Sequence, residues 1–319
     1  MMSFVITILF GVMLLLIMTA FYLYYINPQI IHWMFTRIML YRAGLCVKYL
    51  YIGDYRYCYA EKGNGTSNKP TMLFLHGFSS SKDMYCTVVT ALAKDLHIIL
   101  LDMPGHGYTT QKVKDDHSFL AQANKVHQFV EAYGLDKSAF HLCGTSMGGA
   151  VAGIYAALYP HHLVKLTLVC PAGILTRKLS KYVEILRDDE VDLLRPDSAE
   201  GLEKMLDIVM HKKLKIPNWY LKIANAIRKP HSEFYMLLME EMKSESARNA
   251  LKEKLKDIRT ETQVIWGVCD EIIDVSGANV IKEALGDLCR VDLLDNCGHS
   301  VELERPYRTA KVMMEFVNS

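Results

Sequence analysis

The sequence has no surplus of charge of either sign: 36 Lys and Arg against 35 Asp and Glu among 319 residues leave a formal +1 at pH 7. A nucleic-acid-binding domain needs a basic surplus to neutralise phosphates, so that class is excluded. The polar bias of a disordered chain is also missing, because 51% of the residues are apolar and 22% charged, enough apolar side chain to offset the entropy of ordering. Eight cysteines are dispersed with no CxxC and no Cys/His ligand spacing, which excludes a disulfide scaffold and a zinc site and fits reduced, buried thiols. Repeats and low-complexity tracts are absent. At roughly 150 residues per domain, the length suits two domains or one α/β domain with an insertion.

Charge disappears altogether from Phe4 to Ile26. As a helix rising about 1.5 Å per residue this run reaches roughly 34 Å, enough to cross a hydrocarbon core of about 30 Å. Asn27-Pro28 marks a stop, and Tyr22, Tyr24, Tyr25 and Trp33 cluster at one end as an interfacial belt would. A core helix is seldom so uniformly apolar. A signal peptide would carry a basic start, a shorter apolar core and a small-residue cleavage site. The segment therefore reads as an uncleaved anchor spanning 4–26 after a three-residue tail, followed by a juxtamembrane stretch, 27–44, lying along the membrane surface. No Lys or Arg precedes the span, whereas Arg37, Arg42 and Lys48 follow it, which places the rest of the chain in the cytosol. Unpaired thiols agree with that reducing side. The sequon Asn64-Gly65-Thr66 is expected to be silent.

Beyond residue 44, Cys46–Ile52 and Tyr55–Ala60 alternate like an antiparallel hairpin. Short continuous apolar runs follow at Met72–Leu75, Ile98–Leu101, Phe140–Cys143, Leu166–Val169 and Gln263–Trp266, with a last strand at Asp292–Leu294. Continuous runs suit strands covered on both faces, as in a parallel sheet with crossover helices. A helix is expected over Phe119–Tyr133, ending at Gly134, and a closing helix over Pro306–Val317. Between these strands, 176–256 turns to charged amphipathic helices. The return of sheet-like sequence afterwards makes this stretch a lid inserted into a core formed by 45–175 and 257–319 rather than a separate domain.

The chemistry centres on Gly144-Thr145-Ser146-Met147-Gly148, which follows a strand and precedes the small-residue helix Ala150–Leu158. In that context G-x-S-x-G is a sharp turn that strains the serine and presents its hydroxyl above a helix N-terminus. Ser146 is the candidate nucleophile, and a serine needs a base and an orienting acid. After the lid only His299 remains among the histidines, in a loop past the last strand, where open α/β sheets bind ligands. Among the acids, Asp270 follows a strand by one tight turn; Asp274 could substitute, while Asp292 and Asp295 read as structural. Two backbone amides must hold the oxyanion, each worth about 10²–10³ in rate. Met147 supplies one, and the loop Leu75-His76-Gly77-Phe78-Ser79 supplies the other through Phe78. His76 is expected to hold that loop. No metal or organic cofactor is required. Cys143, Cys269 and Cys297 lie within three residues of these groups, either as inert packing thiols or with at least one opening into the pocket.

The segments HGFSSSKDM, DMPGHG, HLCGTSMGG, LVCPAG, VIWGVCDEIIDVSGA and NCGHSVELERP resemble the α/β-hydrolase superfamily, and within it the membrane-anchored monoacylglycerol lipases. The likeness covers nearly the whole chain and is loosest in the lid. It implies a mostly parallel eight-stranded sheet flanked by helices and a lipid ester substrate at the bilayer. Monoacylglycerols, including 2-arachidonoylglycerol, are implied, and also lysophospholipids or bis(monoacylglycero)phosphate. An endosomal or lysosomal membrane is implied as the address, with the catalytic domain cytosolic; protein partners are not. Two other readings stand beside it: a catalytically silent membrane scaffold, and a lysophospholipid acyltransferase. Acyltransferase relatives carry H-x-x-x-x-D at the histidine, where this chain has Glu304.

Overall fold

The computed structural model describes residues 2–65, 69–176, 178–189 and 192–319; Thr66 of the sequon lies outside them. Helix α1 (Met2–Phe21) continues through a π-helical turn, Tyr22–Ile26, and breaks at Asn27. Pro28 then opens helix α2 (Pro28–Arg42) from its first turn, where a missing N–H leaves no helical bond unmade. Every described side chain of α1 is exposed, whereas α2 turns Thr36 and Leu40 inward and packs on the rest of the molecule. The stretch expected to lie on a membrane surface is thus also docked on the folded domain.

Eight strands form one sheet: β1 (Cys46–Ile52), β2 (Tyr55–Lys62), β3 (Met72–Leu75), β4 (Ile98–Leu101), β5 (Phe140–Thr145), β6 (Leu163–Val169), β7 (Glu261–Gly267) and β8 (Cys289–Leu294). Their order is β1-β2-β4-β3-β5-β6-β7-β8; β1–β2 and β2–β4 are antiparallel, and every other pair is parallel. β3, β4 and β5 are buried at every residue, which explains their unbroken apolar runs. Strand β8 starts three residues before the expected Asp292, because it is an edge strand whose paired Arg290 and Asp292 break an apolar pattern.

Helices α3 (Cys86–Ala91), α4 (Phe119–Tyr133) and α5 (Met147–Leu158) cross between the first strands. Helix α4 has the expected bounds. Ser118 caps it by accepting the Ala121 N–H at 3.2 Å, and Gly134 stops it with φ 85°. Between β6 and β7 lie α6 (Lys181–Asp189), α7 (Ala199–Val209), α8 (Asn218–Arg228), α9 (Ser232–Lys243) and α10 (Glu245–Lys254). Phe234, Leu238 and Leu251 from this segment join the main core. A Cβ on Gly153 would stand 2.3 Å from Leu251 Cδ1, so a bare backbone there lets α10 reach α5. Helices α11 (Gly277–Leu285), α12 (Val301–Glu304) and α13 (Pro306–Val317) complete the chain.

Candidate active site

Strand β5 ends at Thr145 and α5 begins at Met147, so Ser146 makes the whole turn, with φ 54° and ψ −116°. An L side chain in that region is strained by roughly 1–3 kcal/mol and persists only where neighbours hold it. Here the Ser146 N–H donates to Val169 O, and its own carbonyl accepts from Ala150 and Ala172. The flanking glycines are steric necessities. A Cβ on Gly144 would meet Gly148 O at 2.2 Å, and one on Gly148 would meet Leu75 O at 2.3 Å.

His299 arrives from the loop between β8 and α12, and Asp270 from the turn after β7. The His299 Nδ1–H donates to Asp270 Oδ2 at 2.8 Å, which fixes the tautomer and leaves Nε2 as the free nitrogen. Backbone amides of Ile272 and Ile273 donate to Oδ1 at 2.8 and 3.0 Å, so the carboxylate cannot rotate away. Burial pulls the His299 pKa down, but the charge and hydrogen bond of Asp270, helped by Glu302, outweigh it and leave the imidazole above its ordinary value.

Ser146 and His299 line one cavity of about 800 Å³. Its floor carries Gly77, Phe78 and Thr145, and its walls are mainly apolar side chains from the helical segment, among them Leu179, Met205, Val209, Met239 and Met242. Neither the Phe78 nor the Met147 amide donates to a protein acceptor among the described residues. Ser79, at φ 52°, is strained beside Phe78, and its carbonyl accepts from Arg228 Nη1 at 3.1 Å. Arg228 thus braces that loop from α8, a link across 149 positions that no sequence motif announces.

The other polar residues near the site have structural work. His76 donates from Nδ1 to Gly77 O and accepts the Met103 N–H at Nε2; burial lowers its pKa to about 4, so it stays neutral and clamps two loops. Asp274 lines the cavity, but its carboxylate accepts from Ser276 N and faces Lys178. Asp292 pairs with Arg290 on the edge strand, and Asp295 is exposed. Glu304 closes the histidine loop, accepting the Gly298 and Lys212 amides on its two oxygens. Cys170 brings Sγ within 4.8 Å of the ligand atoms of Asp270 and His299. Those two are already bonded to each other, and burial drives the thiol far above its ordinary pKa, so the trio suits no metal. Cys143 and Cys297 are fully buried, and none of the three cysteines beside the site lines the cavity, which favours the packing-thiol reading over the alternative that one opens into it.

Glu302 escaped the sequence reading. It sits three residues after His299, is wholly buried, lines the cavity floor, and accepts a hydrogen bond from the Thr145 hydroxyl, itself bonded to the Tyr85 hydroxyl. Its Oε2 has no partner among the described residues. Burial raises its pKa against the lowering effects of Thr145 and His299. An acid next to the base is invisible in a run such as Ser300-Val301-Glu302-Leu303-Glu304, where either glutamate could face water.

A sequence profile described as the α/β hydrolase fold matches residues 70–306. The chain belongs to the α/β-hydrolase family. It is 43% identical over 297 residues to monoacylglycerol lipase abhd6-A of Xenopus laevis, covering 91% of this chain and 86% of that one. Identity is 41% over 298 residues to monoacylglycerol lipase ABHD6 of Homo sapiens, with the same coverage. Among solved structures, a membrane phospholipase A described as a bacterial virulence factor superposes with a TM-score of 0.86 over 98% of each chain at 28% identity. A putative lipase, lip1, from Acinetobacter baumannii gives 0.74 at 28% identity, over 89% of this chain and 94% of that one. The eight-stranded, mostly parallel sheet flanked by helices is the expected architecture of an α/β-hydrolase, and helix α1 with the turn after it is long and apolar enough to be a candidate membrane span.

Proposed function

We propose that this α/β-hydrolase is a membrane-anchored serine hydrolase that cleaves acylglycerol esters through an acyl-enzyme. One observation carries the reading: a strained serine and a histidine locked by a buried carboxylate face a single apolar cavity. Ser146 Oγ attacks the ester carbonyl while His299 Nε2 takes its proton; His299 then protonates the departing alcohol and later activates water. Asp270 keeps the tautomer and stabilises the imidazolium. The amides of Phe78 and Met147 have no protein partner among the described residues and would receive the oxyanion. No step calls for a metal or organic cofactor.

Helices α6–α10 act as a lid whose apolar wall accepts the acyl chain, each buried CH₂ contributing about 0.8 kcal/mol. The span Phe4–Ile26 holds the enzyme at the bilayer that supplies the substrate, with the folded domain on the cytosolic side, as Arg37, Arg42 and Lys48 favour. Monoacylglycerols are the first substrates to test, since that activity is in the names of the relatives; lysophospholipids and bis(monoacylglycero)phosphate come next, and an endosomal or lysosomal membrane is the proposed address.

A fluorophosphonate probe should label the wild-type protein and fail to label Ser146→Ala. Hydrolysis over a panel of monoacylglycerols and lysophospholipids should fall by at least about 10³-fold in the same variant. An unlabelled wild type would favour the silent scaffold, and turnover that depends on acyl-CoA would favour the acyltransferase.

A further inference from the structure

Acidic residues are absent from two segments that touch each other. No Asp or Glu occurs before Asp54, and none occurs between Asp207 and Glu233, where Lys212, Lys213, Lys215, Lys222, Arg228 and Lys229 all lie. These segments contain α2 and α8, which pack together in the fold. Their junction is aromatic: Phe35 of α2 meets Tyr220 at 6.0 Å between ring centroids, and Tyr220 meets Trp219 at 5.8 Å. Large apolar side chains remain in the open there, Trp33, Phe35 and Ile38 on one segment and Leu214 and Trp219 on the other, with Trp219 45% exposed. Lys212, Lys213, Lys215 and Lys222 are exposed in the second of these segments, and only Lys213 has a carboxylate partner, Asp207 at 3.0 Å, among the described residues.

Exposed aromatic rings and exposed lysines on two packed segments match a bilayer interface that carries negative head groups: rings sit at head-group depth and lysine stems lie along apolar surface while their ammonium groups reach the phosphates. α2 begins one residue after the end of the candidate span, so this face is continuous with the anchor. We propose that the basic, aromatic surface formed by α2 and residues 211–222 docks the lid onto the anionic head groups of the membrane that holds the anchor. This deepens the membrane reading above and rests on it. The contact reaches the chemistry as well. Val209 O accepts the Ser300 N–H at 2.9 Å, and Glu304 ties the Lys212 amide to the Gly298 amide. The segment that leads into the docking surface is therefore bonded to Ser300 directly and to Gly298 through Glu304, on either side of His299, and Val209 also forms part of the cavity wall.

The test uses the full chain reconstituted into vesicles of phosphatidylcholine alone or with phosphatidylserine added. Trp219 is read in a Trp33→Phe background, the buried Trp266 serving as an unquenched reference, with a nitroxide carried at head-group depth. Flotation with the vesicles is scored first; a protein that does not float overturns the anchor reading and this proposal together. In a floating protein, quenching should be at least several-fold stronger with phosphatidylserine, since one lysine near an anionic surface contributes about fivefold. High salt should weaken it. The variant Lys213→Gln/Lys215→Gln/Lys222→Gln should abolish the difference while hydrolysing a soluble ester in detergent at the wild-type rate. Equal quenching on both vesicles, or a triple variant that docks like the wild type, overturns docking while leaving the anchor intact. Release by inorganic phosphate beyond that produced by chloride at equal ionic strength would assign the patch to a soluble anion and also overturn it.

Discussion

The indole N–H of Trp266 donates at 3.1 Å to Asp270 Oδ2, the same oxygen that accepts from His299. With the Ile272 and Ile273 amides on the other oxygen, Asp270 receives four donors and presents no lone pair to spare. Asp270→Asn puts an NH₂ where donors now converge. Either Trp266 and His299 or the two backbone amides lose their acceptor, and the imidazole is free to adopt the wrong tautomer. The expected result is a fall of about 10⁴ in kcat with a smaller change in KM, the magnitude known for such a substitution in a Ser-His-Asp triad. Steady-state kinetics on a short-chain ester check it.

As the proposed base, His299 sets the expected pH dependence. It must be neutral to act as base, and its pKa stands above the ordinary 6.5 because Asp270 and Glu302 overcome the effect of burial. The acid limb of kcat/KM should therefore lie above pH 6.5, with activity lost as pH falls through that value. Five titratable groups bear on the imidazole or on Glu302 from neighbouring elements: Asp270 after β7, Glu302 on α12, Tyr85 before α3, Cys170 after β6 and Cys297 after β8. Burial pushes both thiols and the phenol up, the Cys297 thiol to about 12, so the two carboxylates carry the charge. Glu302→Gln keeps an acceptor for the Thr145 hydroxyl and removes the charge. Its acid limb should move to lower pH, by less than the shift an Asp270 substitution would cause. A limb that stays in place would mean that Glu302 is neutral there.

Legibility along the chain followed local physics. The bounds of Phe119–Tyr133 could be read because Ser118 and Gly134 are stop signals and five apolar residues share one face. Ser146 was readable as a candidate because its turn needs glycines at fixed offsets, and His299 because it is the one histidine after residue 256. Glu302 and Arg228 were not, since each bonds a residue more than a hundred positions away, Thr145 at the end of β5 and Ser79 in the loop after β3, that it meets only after folding. The packing of α2 on α8 was hidden for the same reason: an apolar run just after a candidate span reads alike whether it meets lipid or another helix of the chain.

Thiol chemistry gives a third expectation. Cys143 and Cys297 are sealed, and Cys269 is only partly covered but does not border the cavity. A bulky maleimide should leave hydrolysis within about twofold of the untreated enzyme, because a thiol raised by burial is seldom a thiolate. Mass spectrometry should find the exposed Cys46 modified before any buried cysteine. Inhibition that tracks modification of Cys143 or Cys297 would show that the site opens further than the structure allows.

Beneath the oxyanion loop, Lys82 Nζ lies 2.9 Å from Asp102 Oδ2, with side-chain exposures of 2% and 0%. Asp102 also accepts the Lys82 and Tyr108 amides, and a Cβ on Gly107 would come within 2.4 Å of its carboxylate, so backbone encloses the charge. Burial raises the Asp102 pKa, but Lys82 more than reverses this and holds the group ionised. Lys82→Met strands that carboxylate, and removing one member of a buried pair typically costs about 3–5 kcal/mol. Asp102→Asn in the same chain removes the stranded charge and keeps a carbonyl for the amides. The double variant should therefore recover much of the loss, although two interactions have been deleted. Denaturant midpoints of the wild type, both single variants and the double variant in detergent would give the coupling. If Lys82→Met unfolds at the wild-type midpoint, the pair is not holding the loops of His76 and Phe78 in place.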